Sequence, residues 1–210
     1  MNTDIYNYIE SVSSKEDKLL YNLRRETNLV TVHPRMLCGI VQGKFLEFIV
    51  SMLKPKNVLE IGSFTAYSTI CIARGLSENA KLISLEKNDE INWIAQKYVG
   101  LSGLEDKIEL ITADALLWMN KTTTMFDMIY IDGDKREYPN YYKRALKLLN
   151  KNGFIIADNV LWDNKVLADI TNNDKMLDGI KEFNKMVSND NTVEKVLLPV
   201  RDGIFLIKKI

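Results

Sequence analysis

Acidic and amide side chains follow two short apolar runs of the sequence, and their residue types suit a divalent cation. Asp132 comes directly after the run Met128–Ile131. Asp158 and Asn159 come directly after the run Phe154–Ala157. The ends of neighbouring parallel strands lie within several ångströms of each other, so these three side chains form a predicted all-oxygen cluster. Mg²⁺ and Ca²⁺ prefer such ligands and Mn²⁺ accepts them, which makes the cluster a predicted metal site.

A second set of residues indicates a site for a nucleoside-bearing ligand. Glu60 ends another apolar run, and Gly62 in the following turn would let a ligand approach the backbone closely. The dinucleotide fingerprint G-x-G-x-x-G is absent, because Phe64 and Tyr67 stand at two of its glycine positions, and no Gly-Lys-Ser/Thr phosphate loop follows. Glu86 ends the next run, where a carboxylate could accept hydrogen bonds from both ribose hydroxyls.

Asp114 opens a helical pattern after the third apolar run and has two interpretations. It could accept a hydrogen bond from an adenine amino group, and it could cap the helix that begins there. Capping alone would explain any single carboxylate at a strand end. Five carboxylates at one edge of a sheet favour a binding site: Glu60, Glu86, Asp114, Asp132 and Asp158.

Short apolar runs alternate with helical patterns, which is typical of βαβ units and a parallel sheet covered by helices on both faces. The last two runs are separated only by residues 200–202, which predicts an antiparallel hairpin because a parallel crossover needs a longer connection. The predicted fold is α/β and Rossmann-like, with seven mostly parallel strands and a C-terminal hairpin. The predicted strands are Val58–Ile61, Lys81–Leu85, Lys107–Ile111, Met128–Ile131, Phe154–Ala157, Val193–Pro199 and Gly203–Lys208. The predicted helices cover about 3–11, 15–27, 34–53, 66–76, 89–101, 114–120, 137–150 and 174–188.

Composition excludes several classes of protein. The 210 residues carry 28 basic and 28 acidic side chains, and this neutral balance argues against broad binding to nucleic acid or anionic membrane. The single histidine, His33, and two cysteines make a zinc site of His and Cys ligands untenable, and we expect Cys38 and Cys71 to be buried and reduced. We expect no signal peptide, no membrane span and a cytoplasmic location.

Together these motifs resemble those of the cation-dependent class I S-adenosylmethionine O-methyltransferases, the caffeoyl-CoA and catechol O-methyltransferase family. The resemblance extends from about Val30 to the C-terminus. Its most specific segments are Leu59–Ser68, Ile131–Lys135 followed by Tyr138 and Tyr141, and Ala157–Trp162. It implies one methyltransferase domain over residues 1–210, with N-terminal helices in residues 1–53 that cover the site and form a homodimer.

The resemblance also implies a role for individual residues. Asp132, Asp158 and Asn159 hold the divalent cation, with Mg²⁺ expected before Mn²⁺ or Ca²⁺. Lys135 is the general base, against the alternative of a solvent-facing lysine paired with an acidic neighbour, and Trp162 lines the site of an aromatic acceptor. The implied residues of the S-adenosylmethionine site are Met36, Glu60, Gly62, Ser63, Ser68, Glu86, Asp114, Ala115, Asp132 and Asp134.

The expected reaction is methyl transfer to a small vicinal diphenol that chelates the cation. Two alternatives remain open: a hydroxyuridine of transfer RNA as the acceptor, with Lys143, Arg144, Lys147 and Lys151 as a basic surface, or a non-catalytic cofactor-binding relative. A nicotinamide oxidoreductase is excluded by the missing glycine fingerprint. Two positions depart from the family, which usually has glycine at Ala66 and often serine at Gly39, and the methyl group of Ala66 could alter the loop if that position has a positive φ.

Overall fold

The computed structural model describes residues 3–167 and 173–210, in which helices and strands alternate. Short 3₁₀ turns lie at Pro34–Met36, Asp89–Ile91, Lys135–Glu137 and Lys165–Leu167. The α helices are α1 Thr3–Val12, α2 Lys18–Val30, α3 Ile40–Leu53, α4 Tyr67–Gly75, α5 Asn92–Ser102, α6 Ala115–Lys121, α7 Tyr138–Leu148 and α8 Lys175–Asn189. The strands are β1 Asn57–Ile61, β2 Lys81–Glu86, β3 Ile108–Thr112, β4 Phe126–Ile131, β5 Leu149–Asp158, β6 Val193–Leu198 and β7 Ile204–Lys209.

The strands of the described residues form a seven-stranded sheet in the order β3-β2-β1-β4-β5-β7-β6. β1 pairs in parallel with β4, β4 with β5, and β2 with β3. β7 runs antiparallel to both β5 and β6. The predicted fold class is therefore confirmed, including the C-terminal antiparallel hairpin.

The chain divides into two compact units. The first unit comprises Met1–Lys56 and Ser63–Thr112, and the second comprises Asn57–Gly62 and Ala113–Ile210. β2 and β3 belong to the first unit, and the other five strands belong to the second. The single domain expected over residues 1–210 stays a prediction.

Helices α3 and α4 of the first unit pack closely because glycine removes a side chain at two contact points. A Cβ at Gly43 would lie 2.8 Å from Cys71 Sγ, and one at Gly75 would lie 2.5 Å from the Glu47 carbonyl oxygen. A larger residue at either position would push the helices apart. Cys38 and Cys71 are both buried free thiols, as predicted.

The second unit packs α7 against α8 through buried aromatic rings. Phe183 on α8 meets Tyr138, Tyr142 and Phe205 edge-on, with ring centroids 5.4 to 6.2 Å apart. Edge-to-face contacts of this kind orient the rings as well as burying them. Gly179 on α8 lets the helix approach the backbone of Lys135, because a Cβ there would overlap the Lys135 carbonyl oxygen. The core of this unit therefore reaches directly to the 3₁₀ turn Lys135–Glu137.

The third helix begins later than predicted. Pro34–Met36 forms a separate 3₁₀ turn, and extended backbone at Leu37 and Gly39 interrupts the apolar pattern before α3 starts at Ile40. The segment Pro34–Leu53 has a mean hydropathy of 1.6, which suffices for a membrane span by length and composition alone and is weak evidence for one. The α helix itself has 14 residues, or about 21 Å at 1.5 Å per residue, against roughly 30 Å of bilayer hydrocarbon.

Strand β5 begins earlier than predicted. α7 ends at Leu148, and Leu149 already pairs with Phe126 of β4, where the pairing register shifts. Asn152 has a φ of 63°, so the strand contains an irregularity that the apolar pattern does not reveal.

One face of α1 is exposed and apolar. Ile5, Tyr8 and Val12 are each more than half exposed, and their spacing places them along one side of the helix. A homodimer through the N-terminal helices stays a prediction.

Candidate active site

Four residues at the carboxyl ends of β4 and β5 are joined by a continuous chain of hydrogen bonds. Lys135 Nζ donates to Asp132 Oδ1 at 2.7 Å and to the Tyr138 hydroxyl at 2.7 Å. The Tyr138 hydroxyl donates to the Asp158 carbonyl oxygen at 2.9 Å. The structure therefore brings Lys135, the predicted base, together with Asp132 and Asp158, two of the three predicted metal ligands.

Burial dominates the electrostatics of this cluster. The pKa of Asp132 is raised to about 6, first because burial removes water from the carboxylate, and also because Asp158 is negatively charged. The positive charges of Lys135 and Arg201 act against this rise. The pKa of Tyr138 is raised well above its ordinary value, first by burial and then by the negative charges of Asp132 and Asp158. Its hydroxyl therefore keeps its proton and can donate it in a hydrogen bond.

The loop after β5 carries the third predicted ligand in a left-handed backbone conformation. Asn159 has a φ of 56°, and Trp162 and Asp163 follow with φ values of 51° and 52°. Such residues persist only where their surroundings hold them. Asp202, in the turn between β6 and β7, accepts a hydrogen bond from the Asp163 amide at 2.7 Å and another from the Asn159 side chain. The C-terminal hairpin thus supports the loop that presents Asn159.

The donor set fits a hard divalent cation. Asp132 and Asp158 supply carboxylate oxygens and Asn159 supplies an amide oxygen, which are ligands that Mg²⁺ and Ca²⁺ accept. The raised pKa of Asp132 reflects in part its repulsion by Asp158, which a bound cation would relieve. Within the described residues, no three His, Cys, Asp or Glu side chains are grouped to hold a metal ion, so this site would depend on the Asn159 amide. The metal assignment stays a prediction.

Lys135 is not the solvent-facing lysine of the alternative interpretation. It is 8% exposed, and its amine contacts Asp132 rather than Asp134 or Glu137. Asp134 instead caps the 3₁₀ turn by accepting from the Arg136 amide at 3.1 Å, and it forms an ion pair with the Arg136 side chain. Asp134 is therefore already engaged at the place where a cofactor amino group was expected.

Trp162 is held by a residue beyond the loop that carries it. Its Nε1 donates to Asp174 Oδ2 at 3.3 Å, and Asp174 also caps α8 by accepting from the Met176 and Leu177 amides. A cavity of about 500 Å³ lies beside this contact. Its lining residues are Arg136, Asn173, Asp174, Lys175 and Met176.

In the first unit, Glu86 holds the loop that follows β1. Glu86 Oε2 accepts from the Phe64 amide and Oε1 accepts from the Asn88 amide, each at 2.8 Å. Since a carboxylate can accept about four hydrogen bonds, each oxygen keeps capacity for a ribose hydroxyl. Ala66, in the same loop, has a φ of 73°. This alanine therefore adopts the left-handed backbone conformation that glycine adopts most easily.

The other candidate cofactor residues of the first unit are Ser63 and Ser68, which lie near this loop in sequence, and Met36, which precedes α3. Ser63 and Ser68 are buried, whereas Met36 is 59% exposed. The N-terminal helices reach the loop, since the hydroxyls of Thr27 and Thr65 are 2.9 Å apart. Within the first unit, α2 therefore contacts the loop that follows β1, and the covering of the site by the N-terminal helices stays a prediction.

Besides Asp132 and Asp134, the candidate cofactor residues of the second unit lie in sequence at the ends of β1 and β3. Glu60 is fully buried, and Gly62 has a φ of 94° and lies against the Asp132 carbonyl oxygen, where a Cβ would overlap it. Asp114 caps α6 by accepting from the Leu117 amide at 3.0 Å, so its capping role is confirmed. Ala115 begins that helix and is buried.

The sequence pattern assigns no role to Tyr138 or Asp202, although both form hydrogen bonds with residues of the site. Tyr138 was part of a recognised segment, and its position three residues after Lys135 is the one signal for its contact with the lysine. Asp202 lies in a turn far along the chain from Asn159, and no local pattern connects the two.

Comparisons with known proteins agree on one family. A family model described as O-methyltransferase matches residues 10–210. A catechol O-methyltransferase from Niastella koreensis is 36% identical over 161 residues, covering 75% of this chain and 72% of that protein. Caffeoyl-CoA O-methyltransferase 2 from Populus trichocarpa is 32% identical over 221 residues, covering 98% of this chain and 88% of that protein.

A solved structure gives the same result for the fold. The O-methyltransferase from Bacillus cereus, in complex with SAH, is similar with a TM-score of 0.90 and 30% sequence identity. The similarity covers 99% of this chain and 98% of that one.

Proposed function

The chain belongs to the S-adenosylmethionine-dependent O-methyltransferase family, and from that premise we propose that it methylates a hydroxyl of a small catechol-like acceptor with the help of a divalent cation. The observation that carries this proposal is the buried cluster of Asp132, Lys135 and Asp158. Burying a lysine beside two carboxylates is costly for folding, which favours a role for these groups in binding or chemistry.

In this proposal, Asp132, Asp158 and Asn159 would hold the cation close to the acceptor hydroxyls. The cation supplies positive charge that lowers the pKa of an acceptor hydroxyl. Buried protein walls strengthen this effect because they exclude competing water. Asp202 maintains the backbone on which Asn159 is presented.

Lys135 acts on the acceptor proton. In its amine form Lys135 receives that proton at Nζ, and Asp132 stabilises the resulting ammonium at 2.7 Å. The acceptor oxygen then bonds to the methyl carbon, the carbon–sulfur bond breaks, and its electron pair remains on sulfur to give S-adenosylhomocysteine. In the first unit, Glu86 is proposed to bind the ribose of the methyl donor.

A catechol-like acceptor is favoured by two observations. The two relatives described above are named for catechol and for caffeoyl-CoA. Trp162 is fixed by Asp174 and offers a flat surface for an aromatic ring. Of the four basic residues considered for transfer RNA, Arg144 is half-buried and donates to the Met119 carbonyl oxygen at 2.6 Å.

The proposal is tested by methyl-transfer assays on catechols, caffeoyl esters and hydroxyuridine-containing transfer RNA, each with and without EDTA. We expect methylation of a catechol that EDTA abolishes and Mg²⁺ restores. The variant Asp158→Asn should lose most of its activity, whereas the variant Asp178→Asn, at an exposed acid on α8, should retain full activity. Catechol methylation that survives complete metal removal would refute the cation, and activity on transfer RNA alone would replace the acceptor.

A further inference from the structure

The hydroxyl of Tyr138 lies at the junction between the two halves of the cluster. It accepts from Lys135 Nζ at 2.7 Å, and it lies 2.9 Å from the Asp158 carbonyl oxygen and 3.2 Å from that of Ile131. Tyr138 is fully buried. A hydroxyl has one proton and two acceptor lone pairs. The two carbonyl oxygens take up its one proton, so in the contact with Lys135 the lysine must be the donor and the hydroxyl the acceptor.

Two groups fix the position of the Lys135 amine. Asp132 Oδ1 and the Tyr138 hydroxyl each accept from it at 2.7 Å, and the amine also lies 4.8 Å from the centre of the Tyr138 ring. A long lysine side chain has many rotamers, and a single ion pair would leave several of them open. The second hydrogen bond removes this freedom.

The Tyr138 ring is itself held rigidly. It packs edge-on against Phe183, with ring centroids 5.4 Å apart, and lies at a tilt of 58° to the Tyr141 ring, with centroids 6.3 Å apart. Gly179 brings α8 against the Lys135 backbone, so α8 supports both residues. The hydroxyl is therefore a preorganised acceptor rather than one that the lysine must recruit.

We propose that Tyr138 is a positioning residue whose hydroxyl holds the Lys135 amine against Asp132 and ties it to the backbone at the end of β5. Its effect on activity rests on the proposed function, since it acts through Lys135. The hydroxyl is the essential feature, because a phenylalanine ring keeps the packing and the contact of the lysine with the ring face.

The test compares Tyr138→Phe with Tyr142→Phe. Tyr142 lies one turn further along α7, is also buried, meets Phe183 edge-on, and donates its hydroxyl to Asp190 at 2.8 Å. We expect Tyr138→Phe to lower kcat by about 10- to 100-fold with the acceptor KM little changed, since misplacement of a reacting group costs that much. Tyr142→Phe should retain kcat. Equal kcat in the two variants would overturn the proposal.

A double-mutant cycle separates positioning from general structural damage. If Tyr138 acts through Lys135, adding Tyr138→Phe to Lys135→Gln should cause no further loss of kcat. Full additivity of the two losses would show that the hydroxyl acts elsewhere and would contradict the inference.

Chemical reactivity tests the contact without activity. Limited acetylation of the metal-free protein, followed by mass spectrometry, should show Lys135 reacting several-fold faster in Tyr138→Phe than in the wild type or Tyr142→Phe, with the exposed Lys147 as internal reference. Unchanged Lys135 reactivity would refute the contact. A wild-type protein that methylates no catechol would refute the proposed function, and the acetylation result would still decide the role of Tyr138.

Discussion

Glu86 at the end of β2 and Asp132 after β4 are both carboxylates at strand ends, yet they differ in what surrounds them. Glu86 is half-buried and accepts from two backbone amides, which are neutral donors. Asp132 is largely buried, lies 2.7 Å from Lys135 Nζ, and is repelled by Asp158. The first environment suits an uncharged polyol such as ribose, and the second suits a cation. The partners of a strand-end carboxylate therefore decide which ligand it can bind.

Removing a carboxylate from the second environment should cause the largest effect. We expect Asp158→Asn to lower kcat/KM by about a thousandfold, or about 4 kcal/mol, because cation charge stabilisation is lost. Calorimetry should show weakened Mn²⁺ binding and unchanged binding of S-adenosylhomocysteine. Unchanged Mn²⁺ affinity in this variant would contradict the view that the environment of Asp132 and Asp158 binds a cation and that of Glu86 does not.

Replacing the lysine tests the chemistry of the second environment rather than its charge. We expect Lys135→Met to lower kcat by about 100- to 1,000-fold, within the range for loss of a general base. Mn²⁺ should still bind, because Asp132, Asp158 and Asn159 remain. A variant that keeps full kcat would show that the lysine only balances charge.

Removing the carboxylate from the first environment should affect the methyl donor alone. We expect Glu86→Ala to weaken S-adenosylhomocysteine binding by about 1–3 kcal/mol, as buried hydrogen bonds are lost. The matched control is Glu90→Ala, an exposed acid that follows the same strand. Loss of Mn²⁺ binding in Glu86→Ala, or equal effects in both variants, would contradict separate roles.

The smallest effect is expected in the loop that Glu86 holds. Ala66 has a φ of 73°, and we expect Ala66→Gly to raise the free energy of unfolding by about 0.5–1 kcal/mol, because glycine adopts this backbone without strain. Ala73→Gly, inside α4, should lower it by about 1 kcal/mol. Urea denaturation measures both changes. A lower stability of Ala66→Gly would mean that the surrounding loop relaxes the strain.

The sequence by itself determined the fold and the chemical types at the site. Alternating apolar runs and helical patterns require a parallel sheet, and a connection of only a few residues permits only the hairpin of β6 and β7. Strand-end positions of Asp132, Asp158 and Asn159 follow directly from that sheet, because parallel strands end at one edge. These inferences succeed because they depend on backbone periodicity and residue type, which are local properties.

Tertiary structure decided which partner each side chain meets. Lys135 could reach Asp132, Asp134 or Glu137, and burial of its 3₁₀ turn against α8 selects Asp132. Asp202 reaches Asn159 only because the β6–β7 turn folds back onto the loop after β5. Contacts between residues far apart in the chain depend on packing geometry, which a single sequence does not encode locally. The start of α3 also depends on tertiary structure. The apolar pattern is continuous from Pro34, but extended backbone before Ile40 delays the helix.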